Sequence, residues 1–556
     1  MNRQLVEFSV VLLAIAVVVA VLARRWHVPY TVFLLMVGLA IGVLRETLGL
    51  SVGPLAEAEL SKELIFLIFL PPLLFEGTIH MDLEILRRHL APVVLLAMLG
   101  TLIACGMIGA SAHWAFALPW AAALLLATML APTDPVSVLA LFKEEGVNKD
   151  LSTVVEGESV FNDGIAVVLY LIFLRMVGGE SVTLTGATGE FLKEILLGGA
   201  VGLLMGYGAH WILGRIDDRF TEIMISVVLS WGVYLAADRM HASGVIAVVG
   251  AGIVIGNFGQ VLSMSPTSRL ALVGFWEVIA FLVNSILFLM MGLASDPAKI
   301  LSEWKMVLTL FVVMVFVRSI VVYGLLGILN RFRSPVSMAW QHIINWGGIR
   351  GSIPIALVLG IPATLQIETA DRIFTKTDMT QIVSGVVLLS LVIQGLTIGK
   401  LLRILGFSGR NSNEEEYEML RGRTVSIQAA RRSLDSLNDR GEVSENLYNG
   451  IGAELDEQLD DLSRSTQSLL DQHYELKEAE YLKVSRALLL AERASLREAH
   501  RQGILSEDTV EKLTEEIDPK LAENGSPFYA EWQTDGRPDD DPEAIPKETS
   551  PSDPTG

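Results

Sequence analysis

For its first four hundred or so residues the chain alternates long apolar runs with short polar breaks. Most runs reach the roughly 18–20 residues that a helix needs to cross a hydrocarbon core. The pattern predicts about 13 spans, at residues 6–23, 28–44, 60–79, 91–111, 119–142, 151–176, 190–213, 220–237, 243–258, 270–294, 304–329, 338–360 and 379–402. Phe8 to Ala23 has the length of a secretory signal, but Arg24-Arg25 directly after it fits a retained first span better. Beyond Phe407 the pattern changes. Leu434, Leu437, Leu447, Ile451, Leu455, Leu459, Leu462 and Leu469 recur at helical steps among charged residues, which predicts helices with one apolar stripe. Tyr481 to Leu496 is a second such stretch, and from Asn524 onward Pro, Asp, Gly and Ser predict disorder. The expected organisation is a membrane domain over 1–406, a helical regulatory tail over 407–523 and a disordered acidic end over 524–556. In fold class this is an all-α polytopic membrane protein with a helical tail.

Composition agrees with two solvents. The whole chain is 51% hydrophobic with net charge −20, yet residues 407–556 hold 34 acids against 17 bases, leaving about −3 for the rest. An acidic tail argues against nucleic acid and against docking on anionic lipid. The single cysteine, Cys105, excludes an internal disulfide framework. With 13 spans, Arg24/Arg25, Arg87/Arg88, Arg215/Arg219 and Arg331/Arg333 fall on one side of the membrane, against isolated Arg45, Arg239 and Lys299 on the other. This bias places the arginine pairs and the tail in the cytoplasm. Short loops favour a prokaryotic cell (plasma or inner) membrane.

Polar groups inside these spans are the candidate chemistry, because an ionisable residue at membrane depth is costly and marks an ion or proton path by default. Ala131-Pro132-Thr133-Asp134-Pro135 places an acid between two prolines, which break the helix and free carbonyls at mid-depth. Half-helix ends exposed there can stabilise ions. Glu158 and Asn162 are four apart, as are Ser159 and Asp163, so the four share one helix face. Such hard oxygen donors suit an alkali cation, and Asp163 can hold either a proton or a cation. Glu76, in Leu70-Pro71-Pro72-Leu73-Leu74-Phe75-Glu76, either approaches the same cavity or lies at a helix end near water. Arg318 and Arg350 need carboxylate partners. Arg318 is favoured for Glu158, since its span is otherwise an unbroken apolar helix. Arg350, in Gly347-Gly348-Ile349-Arg350-Gly351, is the counterpart of the Asp134 break in an inverted repeat. Glu277 and Asn284 share a face seven residues apart, where a structural or gating role outweighs cation ligation.

Thr133-Asp134-Pro135, Gly157-Glu158-Ser159 with Asn162-Asp163-Gly164, and Gly347-Gly348-Ile349-Arg350-Gly351 together resemble the NhaP-type sodium/proton antiporters, relatives of the animal sodium–hydrogen exchangers. The likeness spans about residues 8–405. It implies 13 helices, a six-helix core with two unwound crossing helices, a dimerisation domain, a homodimer and elevator-like alternating access. It implies that Asp163 is the shared cation and proton site, that Thr133, Asp134, Ser159 and Glu76 complete a Na+ shell directly or through water, and that Glu158 pairs with a core arginine. The Asn162-Asp163 pair implies electroneutral one-for-one exchange of Na+ (or Li+) for H+. Both ions are substrates, and no cofactor is expected. A K+/H+ antiporter of the same fold is the main alternative. A passive cation channel would conduct without counter-moving protons. An intramembrane hydrolase built on two aspartates is disfavoured, because oxygen ligands cluster around Asp163; the chain is not expected to be an enzyme.

Overall fold

The computed structural model describes residues 3–517 apart from 27–28, 49–64, 181–182, 217, 265, 333–335, 370–371, 408–411, 502–503, 507–508, 511 and 515. The start of the span expected at 60–79 and the disorder expected over 524–556 lie outside the described residues. The chain divides into two units, Met1–Gly409 and Arg410–Gly556.

The first unit is helical: α1 (Arg3–Trp26), α2 (Tyr30–Leu48), α3 (Leu70–Ile79), α4 (Leu83–Arg88), α5 (Leu90–Phe116), α6 (Trp120–Leu130), α7 (Val136–Glu145) and α8 (Lys149–Val177) come first. They are followed by α9 (Leu184–Leu213), α10 (Arg219–Arg239), α11 (Gly244–Val254), α12 (Pro266–Ala294), α13 (Pro297–Ser302), α14 (Trp304–Asn330), α15 (Met338–Trp346), α16 (Ser352–Leu359) and α17 (Lys376–Ile404). Among the described residues, seven helices are long and apolar enough to cross a membrane by themselves. Apolar side chains such as Leu196, Leu204, Val228 and Phe316 are exposed on their outer faces, a surface that only lipid stabilises at this extent. This is a multi-pass membrane protein. Sequence periodicity did not anticipate the π-helical turns at Ile65–Phe69, Leu95–Gly100 and Ile255–Ser263, the short helices α4 and α13, or a two-stranded hairpin. The hairpin pairs Gln366–Glu368 with Ile373–Thr375, and its opposed Ile367 and Phe374 are both buried. The last strand residue, Thr375, forms a capping box with Asp378 that starts α17.

The helices fall into two groups by packing. In one, α1, α2, α3, α9, α10, α11 and α12 pack on each other; in the other, α5, α6, α8, α14, α15, α16 and α17 do. Close approach of α2 and α12 depends on Gly292, where a Cβ would lie 2.4 Å from the Leu35 carbonyl oxygen. The groups meet where α3 touches α8, α11 touches α8, and α12 touches α16.

The second unit holds α18 (Ser412–Asp439), α19 (Glu445–Gln472) and α20 (Tyr474–Arg501). α18 packs along α19, and Arg431 Nε donates to Asp456 Oδ1 between them at 3.0 Å. Leu469, Leu470 and Leu476 form a small buried cluster with Tyr417 and Leu420 against it. Of the predicted apolar stripe, Leu434 and Leu469 are buried whereas Leu447 and Ile451 are exposed.

Candidate functional site

Two helix interruptions build the site. Pro132 and Pro135 cannot donate to the preceding turn, so α6 stops at Leu130 and α7 starts at Val136. Glycines do the same between Trp346 and Ser352. Each interruption satisfies the other. The Asp134 amide donates to the Ile349 carbonyl at 2.7 Å. Arg350 Nη1 donates to the Ala131 and Pro132 carbonyls at 2.6 and 2.7 Å, placing a cation on the open C-terminal end of α6. Gly351 is required by space, since a Cβ there would fall 1.7 Å from Asp134 Oδ2.

α8 carries the facing side chains on one buried face. Glu158 accepts from Arg318 Nη1 and Nη2, both at 2.8 Å, a bidentate pair. The second nitrogen also donates to the Ile344 carbonyl at 3.1 Å. Ser159 Oγ donates to the Thr133 carbonyl. Asn162 Nδ2 donates to the Ala131 carbonyl at 3.3 Å, and its Oδ1 accepts from Thr101 Oγ1 at 2.6 Å. These three residues therefore tie α8 to α5, α14 and the first interruption. Asp163 differs: it is 8% exposed, and its Oδ1 has no hydrogen-bond partner among the described residues.

Asp163 opens instead onto a cavity of about 60 Å³ between the two helix groups. Its polar lining is Glu76 from α3, Thr133 and Asp134 from the first interruption, Asp163 from α8, Asn284 from α12 and Ser352 from α16. That volume is large enough for a dehydrated or partly hydrated cation or for a few waters. Glu76 is half-buried and lies 3.5 Å from His80 Nε2. Of the candidate shell, Asp163, Asp134, Thr133 and Glu76 line the cavity, whereas Ser159 and Asn162 lie behind it, bonded to the backbone that shapes it. Glu158 and Arg318 pair beside it, and Arg350 makes backbone contacts rather than a carboxylate pair. Sequence reasoning passed over Ser352 and Thr101 and read Asn284 as structural or gating. The available signal was a polar residue within an apolar run, too common to single them out.

Helices of membrane length, a pair of interrupted helices and a buried carboxylate on a small polar-lined cavity between two packed groups define a membrane ion-transport protein. The family model for sodium/hydrogen exchangers, transmembrane, matches residues 11–404. The chain is 34% identical over 512 residues to the Na+/H+ antiporter NhaG of Bacillus atrophaeus, covering 91% of this chain and 95% of that one. It is 35% identical over 442 residues to the Na+/H+ antiporter ApNhaP of Aphanothece halophytica, covering 78% and 81%. The solved structure of the sodium proton antiporter MjNhaP1 from Methanocaldococcus jannaschii at pH 8 shares its fold, with TM-score 0.60 and 22% identity over 72% of this chain and 98% of that one. The chain belongs to the sodium/hydrogen exchanger family, a family of transporters.

Proposed function

We propose that this protein is a secondary active transporter that exchanges Na+, or Li+, for H+ across a cell membrane, one for one and without net charge movement. One observation carries the reading: Asp163 is a buried carboxylate with an unpaired oxygen facing a small acidic cavity between two helix groups. A buried carboxylate oxygen with no hydrogen-bond donor is stabilised either by a proton or by a cation, so the two ions compete for one place. Asp134, Thr133 and Glu76 supply further hard oxygens, with Ser159 close behind through its bond to the Thr133 carbonyl. The names of the relatives NhaG and ApNhaP support Na+ as the ion. Asn162 supports electroneutrality, because its uncharged amide is committed to backbone and to Thr101 and carries no second proton.

In the proposed cycle, Asp163 releases a proton on one side and takes Na+ into the cavity. The group holding α8, α14 and both interruptions moves against the group holding α3 and α12, the cation leaves on the other side, and a proton replaces it. Glu158–Arg318 and Arg350 keep the moving group rigid by filling its buried charge and its open helix end. No cofactor takes part, and ion gradients drive the cycle. The full proposal includes thirteen crossings arranged as inverted repeats, a homodimer in the plasma or inner membrane, a role in pH homeostasis, and a cytoplasmic regulatory tail over 407–523.

The test is reconstitution into proteoliposomes with an inward-acid gradient and a pH-sensitive dye. Dequenching on Na+ addition, unchanged when the membrane potential is clamped, is expected. Dequenching with K+ alone would replace the substrate, dependence on potential would break the one-for-one count, and proton-independent Na+ flux would make the protein a channel.

A further inference from the structure

Among the described residues, Asn284 is the one polar cavity residue, besides Glu76, that comes from the helix group facing the interruptions. Its Oδ1 is buried and has no hydrogen-bond partner among the described residues, the same condition as Asp163 Oδ1 across the cavity. A buried amide oxygen left without a donor is unfavourable, and native structures rarely keep one without a reason. Its position is also fixed. The next residue, Ser285, is hydrogen-bonded to Tyr30 on α2 at 2.7 Å, and the Tyr30 ring stacks on Phe281 with centroids 4.9 Å apart. The glycine contact at Gly292 holds the same helix against α2. A neutral oxygen held rigidly over a carboxylate cavity, with no donor among the described residues to satisfy it, suits an alkali cation.

We propose that the Asn284 amide oxygen is a cation ligand supplied from the opposite helix group, so that the shell around the ion at Asp163 is complete only while the two groups are closed on each other. This rests on the cation/proton exchange proposed above and assigns the ion's selectivity to a residue outside the acidic motifs. A neutral donor adds affinity without adding a proton-binding site, so it favours one cation size without altering the exchange count. It also ties occlusion to occupancy: moving the groups apart strips one ligand and loosens the ion for release.

The experiment compares wild type with Asn284→Leu, which keeps the size and loses the oxygen, and Asn284→Asp, which keeps both. Exchange in proteoliposomes is read as KM and maximal rate for Na+ and Li+ over a range of pH. Cation binding is read separately as the concentration giving half-maximal thermal stabilisation in detergent, which needs no transport. Asn284→Leu is expected to raise both the Na+ KM and the stabilisation midpoint about tenfold, the scale of one lost polar contact, and to change the Na+/Li+ ratio. Asn284→Asp is expected to restore the midpoint at alkaline pH. Should the leucine variant fail to fold, Asn284→Ala is read in the same two ways. Unchanged midpoints and ion ratio in a leucine variant, beside an active wild type, would overturn the inference alone. A shifted pH profile with unaltered Na+ affinity and ion ratio would also overturn it, making Asn284 a hydrogen-bond donor to Asp163. A wild type inert to Na+, Li+ and K+ in both assays would overturn the exchange reading and this inference with it.

Discussion

Replacing Glu158 by Gln tests whether the buried ion pair is structural scaffolding or part of the ion's shell. Glu158 is 2% exposed and Arg318 10%, so neither can retreat to water. The pair holds two hydrogen bonds of 2.8 Å, and Arg318 Nε already lacks a partner among the described residues. Glutamine keeps one acceptor and turns the other oxygen into a donor facing a guanidinium. One charge-assisted bond is lost, the second becomes neutral, and Arg318 keeps only the Ile344 carbonyl as a strong acceptor. Breaking a buried pair from one side costs about 3–5 kcal/mol, and the retained acceptor puts this variant near the lower end, about 3 kcal/mol. At about 2 °C per kcal/mol for a chain of this size, the unfolding midpoint in detergent falls by roughly 6 °C. The Na+ stabilisation midpoint stays within about twofold, because Glu158 does not line the cavity. The double variant Glu158→Met with Arg318→Met recovers most of the loss, since no charge is stranded. Full thermal stability of Glu158→Gln, or lost Na+ affinity with stability intact, would refute the reasoning and make Glu158 a ligand.

Three further outcomes follow from the geometry. Gly351→Ala drives a methyl into the Asp134 carboxylate; it should cost about 1–3 kcal/mol in thermal unfolding and most of the exchange rate, and a fully active variant would contradict the space requirement. His80, just past the end of α3, has its pKa raised above 6.5 chiefly by its hydrogen bond to the Glu76 carboxylate, with Glu156 and Glu277 adding negative charge and burial opposing. A raised folded pKa means the charged Glu76–His80 pair is fully formed below about 6.5 and lost as pH rises through the raised value, leaving Glu76 free for cations in alkaline solution. His80→Gln should therefore lower the Na+ KM at pH 6.5 toward its alkaline value, and an unchanged KM–pH curve would dismiss the link. In the tail, Arg431→Ala removes the tie from α18 to Asp456 on α19 and should lower helicity measured by circular dichroism on the full chain, with cation affinity unaltered.

The parts of this molecule legible in sequence are those with a local cause. Pro132 and Pro135 stop a helix wherever they fall, and glycines at 347, 348 and 351 do likewise, so both interruptions announce themselves. A carboxylate four residues from an amide on an apolar helix marks a buried face, which brings Glu158, Ser159, Asn162 and Asp163 to notice. Distribution of those groups between the cavity and its supports is a matter of which carbonyl each reaches. Ser159 and Asn162 turn to the freed backbone at Thr133 and Ala131, and that depends on how two distant segments meet. Arg350 likewise serves the end of α6, more than two hundred residues away, a pairing with no periodicity to betray it. Asn284 looks in sequence like any single polar residue on an apolar helix; only the packing of α12 against α16 puts it over the cavity. The π-helical turns at Ile65–Phe69, Leu95–Gly100 and Ile255–Ser263 leave no mark in the hydrophobic pattern.

Competition between Na+ and a proton for Asp163 is the centre of the account, and the protons released on Na+ binding measure it directly. Calorimetric titration of the detergent-solubilised protein with Na+, repeated in buffers of different ionisation enthalpy, gives that number. The account predicts about one proton released per Na+ bound in acidic solution, falling toward zero as the pH is raised, and no Na+ binding at all in a folded Asp163→Asn variant. Na+ binding without proton release at any pH, or undiminished binding to the asparagine variant, would contradict it.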